Sequence, residues 1–170
     1  MKKFELTSEF VTFLGKKLFR IKALVSFGDV KEGELGGLVE KEENLDQSGN
    51  AWVYGDARVY GDARVYGNAW VSGNAWVSGD ARVYGDAWVS GDARVQNCRD
   101  YSATSCFGSE NRTTTFFRTK DGGISVRCGC FYGTLAEFRE KVKERHGGRR
   151  LAKEYLMLAD LMEFRLSKDE

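Results

Sequence analysis

Residues 49–96 read GNAWVY GDARVY GDARVY GNAWVS GNAWVS GDARVY GDAWVS GDARVQ, one six-residue phrase repeated eight times without a break. A period of six matches neither the two-residue alternation of a half-buried strand nor the helical turn of about 3.6 residues. Repetition of one aliphatic and one small residue at a fixed phase specifies a solenoid, whose units bury their apolar sides only against their neighbours.

Read from Val, each unit runs Val, Tyr or Ser, Gly, Asp or Asn, Ala, Arg or Trp. This phrase resembles the hexapeptide repeat of left-handed parallel β-helices, and the resemblance covers 48 residues directly. It implies three units to a triangular coil, Val pointing inward and Ala fitted into a tight corner beside it. The left hand is also an implication of the resemblance, since parallel crossovers are otherwise right-handed.

The chain has 170 residues, a formal charge of +1 and 30% charged residues. With no basic surplus, binding of duplex nucleic acid through bulk phosphate attraction is not expected. The start, MKKFELTSEFVTFLG, lacks a long apolar run ahead of a small-residue cleavage site, and no segment approaches about eighteen uninterrupted apolar residues. A soluble cytoplasmic protein with no membrane partner is therefore expected. Four cysteines, Cys98, Cys106, Cys128 and Cys130, suit free buried thiols in a reducing compartment.

Three regions are expected: an N-terminal β cap over 1–36, the solenoid over 37–97 and a C-terminal α+β region over 98–170 that caps or joins protomers. In the first, FVTFL and LFRIKAL flank Gly15-Lys16-Lys17 as a β-hairpin. Counting back by sixes from Ala51 reaches Leu45 and Val39, so degenerate units are expected from near Gly37. In the last, β-rich segments flank Asp121-Gly122-Gly123 as a second hairpin. Two helices follow. Thr134 and Glu137 have capping-box spacing, with Leu135, Phe138 and Val142 forming a stripe that stops at Gly147-Gly148. From about Arg149, Leu151, Tyr155, Leu158 and Met162 share one side of the second. The fold class is thus mainly β: a left-handed parallel β-helix, three hexapeptides per coil, with an N-terminal hairpin cap and a hairpin-plus-two-helices cap behind it.

Wrapping the units three to a coil stacks residues eighteen apart, about 4.8 Å from one another. One face then carries Trp52, Trp70 and Trp88, a second Arg58, Trp76 and Arg94, and a third Arg64 and Arg82 with Tyr66 and Tyr84. An exposed indole ladder would be an unusually large apolar patch, so a second copy is expected to cover it. The resemblance implies a homotrimer with solenoid axes side by side. Arginine against an aromatic ring of the neighbour contributes about 0.5–2 kcal/mol.

The same side chains describe a ligand site. Tyr and Trp offer stacking planes and Arg a planar fork matched to phosphate or carboxylate. Arg58, Arg64, Tyr66, Trp70, Trp76, Arg82, Tyr84 and Trp88 are the candidate residues for a small anionic molecule with an aromatic ring, such as a nucleotide, held between subunits. Many hexapeptide-repeat proteins are acyltransferases with a histidine base near the coils. Here His146 is the single histidine and lies beside a predicted helix end, so an enzyme is not expected. No cofactor or metal is expected either: Cys128-Gly-Cys130 lacks the two-residue gap of a zinc knuckle. The repeat Asp and Asn residues, Asp56, Asp62, Asn68, Asn74 and Asp80, read as turn-formers bonding local backbone amides. Lys141, Lys143, Arg145, Arg149 and Arg150 are interleaved with Glu137, Glu140 and Glu144, which favours a solvated helix surface over an anion site.

The runs FFRTKDGGISVRCGCFYGTLAEFREKVKERHG and FGDVKEGELGGLVEKEENL resemble small phage- and prophage-encoded proteins that carry hexapeptide repeats. That resemblance implies residence in the host cytoplasm and, for a protein without a catalytic constellation, a sponge that sequesters a nucleotide immune signal. A structural or adaptor protein without a ligand is the alternative from a different class.

Overall fold

The computed structural model describes residues 1–168. Each repeat contributes a two-residue strand made of its Arg or Trp and its Val: Trp52–Val53 (β4), Arg58–Val59 (β5), Arg64–Val65 (β6), Trp70–Val71 (β7), Trp76–Val77 (β8), Arg82–Val83 (β9), Trp88–Val89 (β10) and Arg94–Val95 (β11). Trp52 pairs in parallel with Trp70 and Trp70 with Trp88; Arg58 pairs with Trp76 and Trp76 with Arg94; Arg64 pairs with Arg82. Every partner lies eighteen residues on, so three units make one coil and the three expected columns exist.

Val and Ala fill the prism. All eight repeat valines are 0% exposed and the repeat alanines 1% or less. The corner glycines let adjacent coils touch backbone to backbone: Gly73 has φ 65°, and a Cβ on it would stand 2.8 Å from Gly91 N. Asp and Asn follow these glycines, but their hydrogen bonds differ from the expected local ones. Asn50 donates to Asn68 across 3.3 Å and Asn68 to Asp86 across 3.1 Å, so the bonds run between coils.

A solenoid, like a helix, leaves backbone groups unpaired at each end. Here each coil's N–H groups donate toward the next coil, as Arg58 N does to Ala75 O at 2.9 Å, so the first coil has free carbonyls and the last has free N–H groups. Three different caps serve the three walls at the start. Lys3 Nζ donates to Ala51 O at 2.9 Å, Asn44 Nδ2 to Gly61 O and Ala63 O at 3.1 and 2.9 Å, and backbone Leu38 N to Ala57 O at 2.9 Å. At the other end Thr115 Oγ1 accepts from Trp88 N at 3.0 Å, and Asp100 Oδ2 accepts from Gln96 N and Asn97 N.

The N-terminal hairpin is Phe4–Phe13 (β1) against Lys16–Ala23 (β2), which in turn pairs with Leu35–Val39 (β3). The third strand enters the solenoid, pairing Val39 with Val59, and Leu45 bridges Val65. Counting by sixes from Ala51 places Val39 and Leu45 in the alanine phase; the structure puts both in the valine column. The reason is two extra residues between Leu45 and Val53, which make this first coil longer than those that follow.

After the last coil comes a four-stranded antiparallel sheet, Tyr101–Phe107 (β12), Arg112–Arg118 (β13), Ile124–Cys128 (β14) and Phe131–Thr134 (β15), then helices Leu135–His146 (α1) and Arg150–Leu166 (α2). The hairpin at Asp121–Gly123 is the β13–β14 turn; the outer strands of this sheet had no counterpart in the sequence reading. Thr134 caps α1, accepting from Glu137 N at 3.2 Å while Glu137 Oε2 accepts from Thr134 N at 2.7 Å. Strand alternation lets β13 serve two cores: Phe117 packs with the solenoid valines and Phe116 with Phe138, Tyr155 and Leu158 of the helices. Among the described residues no helix is long and apolar enough to cross a membrane.

Candidate functional site

The three walls meet different fates, because the caps fold along the prism as well as over its ends. On the first wall Trp52 is 0% exposed, its ring met edge-on by Phe4 and Phe27 at 6.3 and 5.3 Å. Trp70 and Trp88 are half-buried, 5.3 Å apart and edge to face. Arg127, from β14, lies 3.6 Å over the Trp88 ring, whose Nε1 donates to Ser72 Oγ at 2.9 Å. The expected exposed indole ladder is therefore corrected: this chain's own caps cover most of it. Burial also pulls the Arg127 guanidinium below its ordinary pKa, as expected of a cation enclosed by rings.

The second wall is occupied too. Phe13, at the end of β1, reaches over it and meets Trp76 edge-on at 4.6 Å. Arg94 lies 3.8 Å over the Trp76 ring, and Arg58 4.2 Å over the Phe13 ring. Arg94 Nη1 donates to the carbonyls of Asn74 and Ala93 at 3.0 and 2.8 Å, and burial lowers its pKa. Arg58, Trp76 and Arg94 thus form an intramolecular stack with Phe13 in which the Arg94 fork is hydrogen-bonded, while Arg58 is held by its ring contacts and its buried Nε has no hydrogen-bond partner among the described residues.

The third wall is open. Arg64 and Arg82 are exposed, and among the described residues neither takes part in an ion pair. Two positions on, Tyr66 and Tyr84 lie parallel with centroids 5.3 Å apart and an interplanar angle of 12°, and Tyr84 is 53% exposed. The strand pairing Arg64↔Arg82 fixes the register of guanidinium above guanidinium and phenol above phenol. Of the eight sequence-derived candidates, Arg64, Arg82, Tyr66 and Tyr84 come together as a free surface, Arg58, Trp76 and Trp88 are drawn into packing with the caps, and half-buried Trp70 packs against Tyr54 and Trp88 of the repeats.

Beyond Tyr84 this wall ends in a hollow of about 250 Å³, lined by Tyr84, Asp86, Tyr101, Ser102, Ser105 and Arg165. Tyr101 is anchored there by donating to Arg82 O at 2.5 Å, and burial raises its pKa above the ordinary phenol range. Arg165, at the end of α2, brings a further cation, with Nη2 3.5 Å from Cys98 O. Sequence reasoning missed Tyr101, Ser102, Ser105 and Arg165. They lie outside the repeat and reach Tyr84 only through the tertiary docking of the C-terminal sheet and last helix, which no local pattern announces.

The cysteines are free as expected, but Cys98, Cys106 and Cys130 are exposed and Cys128 half-buried, so the expectation of burial is corrected. Cys98, Cys106 and Cys130 sit on turns and near strand ends, while Cys128 packs against the core of the C-terminal lobe. Among the described residues no group of three or more His, Cys, Asp or Glu converges in a way that could hold a metal ion. His146 ends α1 with its ring stacked on Tyr155 at 5.6 Å, among C-terminal residues.

The YdcK beta solenoid repeat family matches four overlapping stretches, residues 51–65, 57–73, 63–79 and 75–91. All four fall inside the coils, and both caps lie outside the matches. No curated protein matches the chain. Repeat matches and parallel coils agree that this is a repeat β-solenoid of about three turns.

Proposed function

We propose that this β-solenoid repeat protein is a non-catalytic binder that captures a small anionic molecule bearing an aromatic ring, a nucleotide in chemical terms, on its third wall. The observation that carries the reading is the pair of guanidiniums of Arg64 and Arg82, without an ion-pair partner among the described residues, beside the parallel rings of Tyr66 and Tyr84. Guanidinium forks match phosphate oxygens, and an exposed phenol offers a base a stacking plane. Arg165 and the hollow beyond Tyr84 extend the same chemistry toward a second anionic group. No nucleophile and base need converge for such a task, because sequestration breaks no bond.

A flat wall holds a ligand weakly unless something closes over it. In the proposed homotrimer the neighbouring subunit supplies that cover. The outer side of α2 supports self-association: Met157, Leu161 and Phe164, spaced as one stripe, are 71%, 56% and 85% exposed. Arg165 follows Phe164 directly, so a copy seated on this stripe borders the hollow at Tyr84. The resemblance to phage-encoded repeat proteins adds a biological setting, in which the protein is a cytoplasmic sponge for a nucleotide immune signal. A purely structural or adaptor role is the second reading, and the same stripe on α2 is the observation that favours it.

Native mass spectrometry of protein purified from nucleotide-rich cells separates the two. Capture predicts trimers carrying an intact nucleotide that is lost in the Arg64→Ala/Arg82→Ala variant; an adaptor predicts assemblies without bound nucleotide in both proteins, and a cleaved nucleotide contradicts sequestration.

A further inference from the structure

A cleft of about 210 Å³ opens at the far side of the C-terminal lobe, between the β14–β15 turn, the last turns of α1 and Tyr155 of α2. Its interior is apolar, formed by Phe131, Phe138, Val142 and Tyr155. Its rim is cationic: Arg112, Lys141 and Arg145 face one lining carboxylate, that of Glu110, with the His146 imidazole beside them. Arg112 stands 3.9 Å from Glu110 and Lys141 3.0 Å from Glu144, whereas Arg145 forms no ion pair among the described residues. On sequence grounds this basic run reads as a solvated helix surface, and its members are exposed, with Lys141 paired to Glu144 and Lys143 to Glu140; two of them, Lys141 and Arg145, also border the apolar hollow.

The cleft is held by specific contacts. Gly108 lies so close to the Tyr155 hydroxyl that a Cβ there would collide with it, and that hydroxyl accepts from Ser109 N at 3.2 Å. His146 stacks on the other end of the same ring system, 5.6 Å from Tyr155 with an interplanar angle of 24°. At the mouth, Gly129 has φ 58°, a left-handed turn that favours glycine, and the end of the Arg112 side chain lies over it. Apolar walls with a few convergent polar groups are the usual make-up of a small-molecule site.

We propose that this cleft is a second binding site, for a small molecule that joins one aromatic ring to one phosphate or carboxylate. The ring fills the Phe131–Phe138–Tyr155 interior, and Arg145, with Lys141 and Arg112, neutralises the anion at the rim. The volume sets the size class. It lies below the range of about 300–1,000 Å³ typical of drug-sized ligands, so a single ring fits and a dinucleotide does not. This site is independent of the third wall in residues, location and ligand size.

The thiols give each site its own reporter, since Cys128 and Cys130 line this cleft and Cys98 lines the hollow by Tyr84. The test uses the full-length protein, phenyl phosphate as probe and phenol or inorganic phosphate as controls, with iodoacetamide alkylation of each cysteine followed by peptide mass spectrometry. Saturating phenyl phosphate is expected to slow alkylation of Cys130 at least fivefold, and Arg145→Gln or Lys141→Gln to weaken that protection at least tenfold in probe concentration. Arg64→Ala is expected to leave it unchanged. Unprotected Cys130, protection unaltered in Arg145→Gln, or equal protection by phenol or phosphate alone overturns the proposal. Protection confined to Cys98 also overturns it while leaving the third-wall reading standing.

Discussion

Lys3 shows how a single side chain can end a solenoid. It is 4% exposed, donates to the carbonyls of Ser48, Gly49 and Ala51, and lies 4.9 Å from the Phe27 ring. Burial dominates its titration and lowers its pKa from 10.5 to about 8, against the opposing pull of Asp46. Between those two values the unfolded chain binds the proton and the folded one does not, so stability rises with pH across that window; below about 8 the full cost of the buried ammonium is present. Tyr54 acts oppositely: burial raises its pKa from 10.0 to about 12, so its contribution falls as pH climbs through that interval. Urea unfolding at pH 7.5, 8.5 and 9.5 should show stability increasing by at most about 1.4 kcal/mol per pH unit in wild type. The Lys3→Met variant should lose the increase, and an unchanged slope would contradict the assignment.

At the scale of elements, the junction between solenoid and C-terminal lobe rests on Asp100, which is 5% exposed. Its Oδ2 accepts from Gln96 N and Asn97 N, its Oδ1 is ion-paired with Arg118 Nη1 at 3.1 Å, and Arg118 also donates to Leu166 O and Ser167 O at the end of α2. One carboxylate thus ties the last coil, β13 and α2 together. Asp100→Ala leaves two N–H groups and a partly buried guanidinium without their acceptor, and should cost about 3 kcal/mol. Chemical denaturation checks the figure; a loss under about 1 kcal/mol would mean that the lobe docks by apolar packing alone.

The coils, their three-unit pitch and the side-chain columns were legible because the repeat states the same local rule eight times, and each unit needs only its neighbours. The capping box at Thr134 and the stop at Gly147 were legible for the same local reason. The phase of Leu45 was not, because a two-residue lengthening has no mark in a degenerate stretch. Nor was the covering of Trp76 by Phe13 or of Trp88 by Arg127. Those contacts join residues far apart in the chain, and a repeat pattern says nothing about what folds back upon it. The candidate site was therefore half legible: the repeat named Arg64, Arg82, Tyr66 and Tyr84, while the caps decided which wall stayed open.

For the molecule as a whole, one prism carries three chemically distinct walls, two of them used internally to hold the caps and one presented outward. The aromatic and cationic side chains copied into every coil thus divide between packing against the caps and an exposed wall, according to which cap reaches them. On this account the exposed wall and the outer face of α2 are the surfaces through which the protein meets a ligand and its own copies. The central claim is capture by that wall, and isothermal titration of a cyclic dinucleotide into wild-type protein, the Arg64→Ala/Arg82→Ala variant and an Arg58→Ala control tests it most directly. The account predicts saturable binding that the double variant weakens at least a hundredfold and the control, whose guanidinium is engaged with Phe13, weakens little; equal affinity in the wild type and the double variant, or no heat in either, would contradict it.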